Sequence, residues 1–252
     1  MDLTKETIEK IVEMDRDGHT LLVNGVTYSN RNLKPVYFQP RMDAIALSSL
    51  SGLVGFMNSP LAEVPIDDDA PGLALSTIVI DDVASLRVLS RPHGADLGRT
   101  VFAKVDVDDT LAEFPWGAWL EHEDFIIKVR SLFVQNADTE KILRFTSKIT
   151  VNASVESEDD GITQRAVVTK GASGAIKEVD KAPVIVKLRP YRTFREAEQP
   201  ESEFLFRMSA PEGRAPRFAL FEADGGRWRD QARINIATWL KGKIPEGIPI
   251  IF

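Results

Sequence analysis

The chain has 252 residues, of which 43% are apolar and 27% charged, and a net charge of −7, so it can bury a large core in one elaborate domain or two small ones. It has no cysteine, which excludes disulfides, thiolate metal sites and sulfur redox chemistry. No basic segment precedes an apolar run at the start, and no stretch approaches the roughly 18 apolar residues of a membrane span. These features predict a soluble, cytoplasmic protein.

The charge is distributed unevenly along the chain. Residues 1–160 carry 15 Lys and Arg against 27 Asp and Glu, a net charge of −12, whereas residues 161–252 carry 16 against 11, a net charge of +5. This polarity can guide an anionic ligand to the C-terminal part, or let the acidic part of one subunit meet the basic part of another. It is also compatible with a solvated surface whose charges happen to segregate.

The sequence pattern of the first part of the chain predicts a hairpin between two short helices. A short amphipathic helix is expected after Thr4. In "TLLVNGVTYS", Asn24-Gly25 separates two strand-like runs, and both residues tolerate the positive φ angles of a two-residue hairpin turn. The segment "MDAIALSSLSGLVGFMNS" places Leu47 and Leu50 on one helical face, with Asp43 as the expected N-cap.

The middle of the chain predicts a meander followed by helices. "LALSTIVIDDVASLRVLSRP" indicates two strands around Asp81-Asp82, and "GRTVFAKVDV" indicates a third. From Asp109 onward the pattern becomes helical, and Asp138 is the expected cap of "TEKILRFTSKI".

The last third is mainly strand, followed by a helix that aligns Trp228, Ala232 and Ile236. Strands and helices do not alternate as in a parallel sheet. The predicted fold class is therefore α+β, with largely antiparallel sheets, a central helical layer and a C-terminal helix. We expect one elaborate domain, residues 1–252, with a possible subdivision into 1–108 and 109–252.

Sequence motifs for catalysis are missing. His19, His93 and His122 lie in separate contexts without the spacing of a zinc site. The chain has neither a "GxxxxGK[ST]" phosphate loop nor a "GxSxG" nucleophile turn. The sequence therefore favours a protein that is not an enzyme and that carries no cofactor.

Acidic residues offer the best enzymatic alternative, because hard cations such as magnesium prefer several carboxylate oxygens at one point. In "KVDVDDT", Asp106 and Asp108 would share one face of a strand. They are weak candidates for a metal site, since Asp108 or Asp109 is equally placed to cap a following helix. The alternative function is a metal-dependent phosphodiesterase or nuclease.

The stretch "KLRPYRTFREAEQPESEFLFRM" interleaves arginines with aromatic residues. Arginine pairs with phosphates and stacks on bases, and aromatic rings offer stacking faces, so this composition suits nucleotides or single strands. The candidate ligand-binding residues are Arg189, Tyr191, Arg192, Phe194, Arg195 and Arg207. In the competing interpretation, the aromatic residues enter the core and the arginines pair with the glutamates of the turn.

The same stretch, followed by "LFEADGGRW", resembles hypothetical proteins of tailed phages and prophages whose function is unassigned. More loosely, the order of "LSSLSGLVGFMNS", "TIVIDDVASLRVLS" and "WGAWLEHEDFI" is similar to the YfdQ-like prophage family over most of the chain. Residues 1–30 and 59–72 match poorly, and no catalytic residues can be transferred. The resemblance implies a phage protein in the bacterial cytoplasm, from regions concerned with DNA metabolism or takeover of the host.

The leading hypothesis is a non-enzymatic, self-associating phage accessory protein that binds nucleic acid or a nucleotide signal. A third possibility is a structural or interaction protein that blocks a host protein. The apolar end "GIPIIF" can form an edge strand on its own sheet or cross to a neighbouring subunit. We expect a homo-oligomer larger than a dimer, with Ile248 to Phe252 at a subunit contact.

Overall fold

The computed structural model divides the chain into two compact units, residues 1–43 and 44–252. It describes residues 4–10, 20–23, 26–29, 34–35, 43–59, 73, 76–93, 97–107, 113–149, 154–159, 164–169, 176–209 and 215–252. Helices and mostly antiparallel sheets are both present, which confirms the α+β class. The predicted single domain and its subdivision after residue 108 stay predictions.

The first unit contains a helix and a small antiparallel sheet. Helix α1 covers residues 5–10, as expected after Thr4. The strands are β1 (Thr20–Val23), β2 (Val26–Ser29) and β3 (Lys34–Pro35), in the order β1-β2-β3. Val23 lies opposite Val26, which confirms the two predicted strands of the hairpin, while Asn24 and Gly25 lie outside the described residues.

The second unit holds the remaining described elements. In chain order they are β4 (Ile45–Leu47), α2 (Leu50–Met57), β5 (Thr77–Ile80), β6 (Ser85–Leu89), β7 (Val101–Asp106), β8 (Leu120–Glu121), α3 (His122–Leu132), β9 (Phe133–Val134), α4 (Ala137–Lys148), β10 (Ser154–Asp159), β11 (Gln164–Thr169), β12 (Ile176–Lys181), β13 (Ile185–Pro190), β14 (Ser202–Ser209), β15 (Arg217–Glu222), α5 (Trp228–Leu240) and β16 (Ile250–Ile251).

The first large sheet of this unit has the strand order β16-β5-β6-β7-β4. Strands β5, β6 and β7 form the predicted antiparallel meander, and β4 and β16 join its edges by parallel pairing. Side chains alternate along the strands, so that Ile78, Ile80, Leu86 and Val88 are buried on one face. This face packs against α2 and against α5 through Ile236 and Leu240.

Helix α2 starts later than the sequence pattern suggests. Residues Ile45–Leu47 pair with β7 as strand β4, and the backbone N–H of Gly52 donates to Ser49 Oγ at 3.1 Å. Ser49 is therefore the N-cap, and the prediction of Asp43 as the cap is wrong. Pairing with a distant strand outweighs the local helical pattern at Leu47.

The second large sheet has the strand order β8-β15-β14-β13-β9 and is antiparallel throughout. Helices α3 and α4 cover one face, where their buried residues meet Phe204, Phe206 and Phe218. The rings of Phe206 and Phe218 stack with centroids 5.9 Å apart. Burying each such side chain contributes about 2–3 kcal/mol, so this face is the main core of the second layer. Strands β10, β11 and β12 form a further antiparallel sheet in that order.

The C-terminal segment returns to the first large sheet. Trp228, Ala232 and Ile236 are buried along α5, as predicted. Strand β16 lies beside β5, with Ile250 opposite Ile78, and Ile248 is only 9% exposed. The segment thus forms an edge strand on its own sheet, which is one of the two predicted placements. Its role at a subunit contact stays a prediction, for which Ile251 and Phe252 supply exposed side chains.

Helix α4 begins at a capping box rather than at Asp138. Asn136 Oδ1 accepts from the backbone N–H of Thr139 at 2.8 Å, and Asn136 N donates to Thr139 Oγ1 at 2.7 Å. The predicted Asp138 cap is therefore wrong. Asp138 instead accepts from Lys141 Nζ at 2.7 Å and from the backbone N–H of Lys187 at 2.8 Å, which ties α4 to β13.

These bonds predict a specific acid sensitivity. The hydrogen bond from Lys141 and the one from the backbone of Lys187 lower the pKa of Asp138 below its ordinary 3.8. A lowered carboxyl pKa stabilises the fold above the ordinary value, and that stabilisation is lost as the pH falls through the folded value. We expect Asp138→Asn to cost about 1 kcal/mol at pH 7, and the difference from the unsubstituted protein to shrink below pH 3.8.

Urea unfolding at pH 7, 4 and 2.5 measures this difference. Glu140→Gln is the matched control, because Glu140 lies on the same helix and its side chain is 63% exposed beside Arg144. The interpretation is wrong if the Asp138→Asn difference is the same at all three pH values.

Candidate ligand-binding cleft

The predicted arginine-aromatic stretch does not form one surface. Strand β13 ends at Pro190 and β14 begins at Ser202, so residues 191–201 form a connection between neighbouring strands. Gln199, which is 4% exposed, holds this connection together. Its Oε1 accepts from Arg192 N at 3.1 Å and its Nε2 donates to Phe194 O at 2.9 Å.

Phe194 points away from solvent. Its side chain is 1% exposed and packs in the core of the first large sheet. The hydroxyl of its neighbour Thr193 donates to the carbonyl of Val83, in the turn between β5 and β6. This placement corrects the predicted role of Phe194 as a stacking face, because the ring anchors the connection to the first layer instead.

The other predicted residues fall in separate places. Arg189 pairs with Glu198 at 3.0 Å and with Glu201 at 3.6 Å, as the competing interpretation expects. Arg207 lies on β14 opposite Ala219 of β15. The guanidinium of Arg195 lies 5.7 Å from the ring centroid of Tyr191.

Tyr191 and Arg192 are the predicted residues that line a cleft of about 460 Å³. The cleft opens where the two layers of the second unit meet. Its walls come from the β5–β6 turn, from the segment before β8, from the end of β13 and from the start of α5. Its polar and aromatic lining consists of Asp82, Glu113, Phe114, Trp116, Tyr191, Arg192, Glu222, Trp228 and Arg229.

Arg192 is the central residue of this cleft. Its side chain is only 9% exposed, and its guanidinium donates to Glu222 Oε1 and to Ser202 Oγ. The same guanidinium lies 3.9 Å from the ring centroid of Trp228 and 5.5 Å from that of Trp116. Arg192 is therefore held by two hydrogen bonds and by cation-π contacts with the rings around it.

Burial is the dominant influence on the charge of Arg192. It lowers the pKa of Arg192 to about 10, although the carboxylates of Glu222 and Asp224 act in the opposite direction. The positive charge of Arg229 lowers it further. The two carboxylates thus offset only part of the free energy needed to bury the guanidinium.

Two buried N–H donors at the cleft wall have no hydrogen-bond partner among the described residues. They are Arg192 Nε and Trp228 Nε1, and Trp228 is 7% exposed. Buried polar groups are normally bonded, and leaving one without a partner costs about 1–3 kcal/mol. Both residues line the cleft, so an acceptor that entered its wall would satisfy these donors.

Arg229 lies beside this pair at the start of α5. Its guanidinium lies 5.0 Å from the Trp228 ring centroid, on the first turn of α5. Gly226 has a φ of 85°, and a Cβ there would lie 2.7 Å from an Arg229 nitrogen. The backbone conformation therefore favours glycine at this position, whereas the flexible end of the Arg229 side chain can move away from a Cβ.

Sequence reasoning missed Trp116, Glu222, Trp228 and Arg229. Trp228 was expected only as a core position of the last helix, and it does pack against Val83 and Ala232. The one local signal was the "GGRWR" run, where two arginines flank a tryptophan at a helix start. Its contact with Arg192 joins residues 36 positions apart, which no local pattern contains.

Of the two metal-site candidates, Asp106 alone lies within the described ranges. Asp106 is exposed at the end of β7, opposite Ser85, and Asp108 lies outside the described residues. Within the described ranges, no group of three His, Asp or Glu side chains is arranged to hold a metal ion. None of the described helices is both long enough and apolar enough to span a membrane.

Comparison of the chain with protein-family models, with curated proteins and with solved structures finds no match. The cleft is therefore interpreted from its own residues.

The burial of Arg192 predicts an asymmetry between two substitutions. Arg192→Met removes a buried charge together with its bonds, so we expect the free energy of unfolding to change by less than about 1 kcal/mol. Glu222→Gln leaves the buried guanidinium without its main counter-charge and should cost about 1–3 kcal/mol. Urea unfolding at pH 7 measures both values.

Leu188→Ala shows whether the assay is sensitive enough, because Leu188 is fully buried and its truncation should cost about 2–5 kcal/mol. We have inferred that burying the Arg192 charge costs more free energy than its ion pair returns. A larger loss of unfolding free energy in Arg192→Met than in Glu222→Gln would contradict this inference.

Proposed function

We propose that the protein is a non-enzymatic nucleotide-binding protein whose ligand occupies the cleft around Arg192 and Trp228. The observation that carries this proposal is the pair of buried, unpartnered donors, Arg192 Nε and Trp228 Nε1, in the wall of that cleft. A ligand with acceptor atoms would satisfy both donors and would stabilise the buried charge of Arg192.

The aromatic lining favours a flat ligand. Trp116 and Tyr191 line the cleft beside the Arg192–Trp228 pair. Aromatic rings and guanidinium planes both stack on bases, at about 1–3 kcal/mol per base. A volume of about 460 Å³ lies in the range of small-molecule sites and suits a single nucleotide.

The polar lining favours a base over a simple aromatic acid. The carboxylates of Asp82 and Glu113 accept hydrogen bonds, whereas Arg192, Trp228 and Arg229 donate them. A nucleobase has ring acceptors and exocyclic amino donors on the same plane, so it can use both kinds of group. A phosphate attached to this nucleoside would then be attracted by the positive charge of Arg229.

The charge of the lining favours a single nucleotide over a strand. Three carboxylates, Asp82, Glu113 and Glu222, stand against two arginines in the cleft. The repeated phosphates of a strand would meet these carboxylates, whereas one phosphate can be held near Arg229 alone. Of the two anionic partners expected from the sequence, the nucleotide signal therefore fits better than nucleic acid.

The proposed setting is that of a phage accessory protein in the bacterial cytoplasm. The resemblance to phage and prophage proteins supports this setting, and sequestering a nucleotide signal is a role in host takeover or counter-defence that needs no catalysis. Self-association through the C-terminal strand remains part of the proposal. The metal-dependent phosphodiesterase using Asp106 and Asp108, and the host-protein-blocking protein, remain alternatives.

Nucleotide binding can be tested through the fluorescence of the tryptophans that line the cleft. Mononucleotides, cyclic nucleotides and short single strands are titrated at low and moderate salt. We expect saturable quenching by at least one nucleotide, and a loss of affinity of at least tenfold in Arg192→Met and in Arg229→Met. Arg144→Met is the matched control, because the Arg144 side chain on α4 is 79% exposed and pairs with Glu140 at 3.3 Å, away from the cleft lining.

The absence of saturable binding by any nucleotide would overturn the proposal, as would an equal loss in Arg144→Met. Turnover of the nucleotide on addition of magnesium or manganese would favour the phosphodiesterase instead.

A further inference from the structure

The three carboxylates that line the cleft differ in how many oxygen atoms they can offer to a ligand. Glu222 Oε1 accepts from the guanidinium of Arg192. Asp82 Oδ1 accepts from the backbone N–H of Val83. Glu113 is exposed and forms no hydrogen bond or ion pair with another described residue. Glu113 is therefore the carboxylate of the lining that can offer both of its oxygens.

The backbone beside Glu113 is anchored in the core. The next residue, Phe114, is 4% exposed, and its ring centroid lies 4.9 Å from that of Trp116. Trp116 in turn lies 5.5 Å from the guanidinium of Arg192. Glu113 thus stands at a fixed point of the cleft wall, on the segment before β8.

The hydrogen-bond donors of the cleft are grouped around Trp228. The guanidinium carbons of Arg192 and Arg229 lie 3.9 Å and 5.0 Å from the centroid of the Trp228 ring. Arg192 Nε and Trp228 Nε1 have no partner among the described residues. Arg229 forms no ion pair with a described carboxylate. The cleft thus combines a group of donors with a carboxylate that has two available acceptor atoms.

We propose that the ligand of the cleft is a guanine nucleotide and that Glu113 determines this preference, an inference that rests on the proposed function. Guanine has two adjacent donors, N1–H and the N2 amino group, next to two adjacent acceptors, O6 and N7. The carboxylate of Glu113 would accept from both donors at once. The guanidinium of Arg229 would donate to O6 and N7, which is the commonest specific contact between arginine and a base.

The other bases match this arrangement less well. Adenine and cytosine each place a ring-nitrogen acceptor beside their amino group, so a carboxylate there gains one hydrogen bond and faces a lone pair. Uracil has a single N–H between two carbonyl oxygens. Each of these bases would lose one charge-assisted hydrogen bond to Glu113, and the loss of such a bond lowers affinity about tenfold or more.

Titration with the 5′-monophosphates of guanosine, inosine and adenosine tests the preference, again through tryptophan fluorescence. The three ligands carry the same ribose and phosphate, so their attraction to the arginines is the same. We expect guanosine monophosphate to bind at least about tenfold more tightly than adenosine monophosphate. Inosine monophosphate should lie between them, because it keeps N1–H and lacks the N2 amino group.

The substitution Glu113→Gln tests the assigned residue. A glutamine amide has one acceptor and one donor, which suits the adjacent N6 and N1 of adenine and no longer suits the two donors of guanine. We expect the ratio of guanosine to adenosine affinity to fall at least about tenfold. Loss of the carboxylate charge alone would change both affinities together and leave the ratio intact. Glu140→Gln is the matched control and should keep the ratio, since Glu140 lies on α4 and is 63% exposed.

The outcomes separate this inference from the proposed function. If adenosine monophosphate binds as tightly as guanosine monophosphate, or if the ratio is unchanged in Glu113→Gln, the guanine preference is wrong and nucleotide binding stands. If none of the three nucleotides binds, both proposals are wrong.

Discussion

The connection between β13 and β14, residues 191–201, is the constraint on which the organisation of the second unit depends, and the stack of Arg192 on Trp228 lies near its start. Arg192 follows the end of β13 and bonds to Glu222 at the end of β15 and to Ser202 at the start of β14. Trp228 begins α5, whose later residues pack under the first large sheet. One buried guanidinium therefore joins the second sheet to the helix that completes the core of the first.

The segment around this stack also explains why the two layers stay together. Thr193 bonds to the β5–β6 turn and Phe194 enters the first core, directly after Arg192 has bonded to the second sheet. The cleft lies at this junction, so its walls belong to both layers. A ligand bound there would contact residues from several chain segments of both layers and would couple its binding free energy to the junction.

The sequence predicted the local pairing well and the tertiary contacts poorly. The strands around Asn24-Gly25 and the β5–β6–β7 meander follow from short patterns of turn residues and β-branched residues, and both are confirmed. The two helix caps were misplaced, because strand pairing takes up Leu47 and because Asn136 caps α4 ahead of Asp138. The candidate site was predicted as one continuous stretch, but strand alternation and a buried loop direct its residues to the outer face, the cleft and the core.

The acidic and basic parts of the sequence contribute residues to the same cleft within a single chain. Asp82 and Glu113 come from the acidic part, residues 1–160, and they face Arg192 and Arg229 from the basic part across the cleft. Opposite charges from the two parts therefore line the same cleft of the second unit. Contact between subunits is thus not required to explain the polarity. The two arginines would attract an anionic ligand to the cleft. The carboxylates of the lining would repel a ligand with many negative charges, so the cleft would select a small nucleotide over a polyanion.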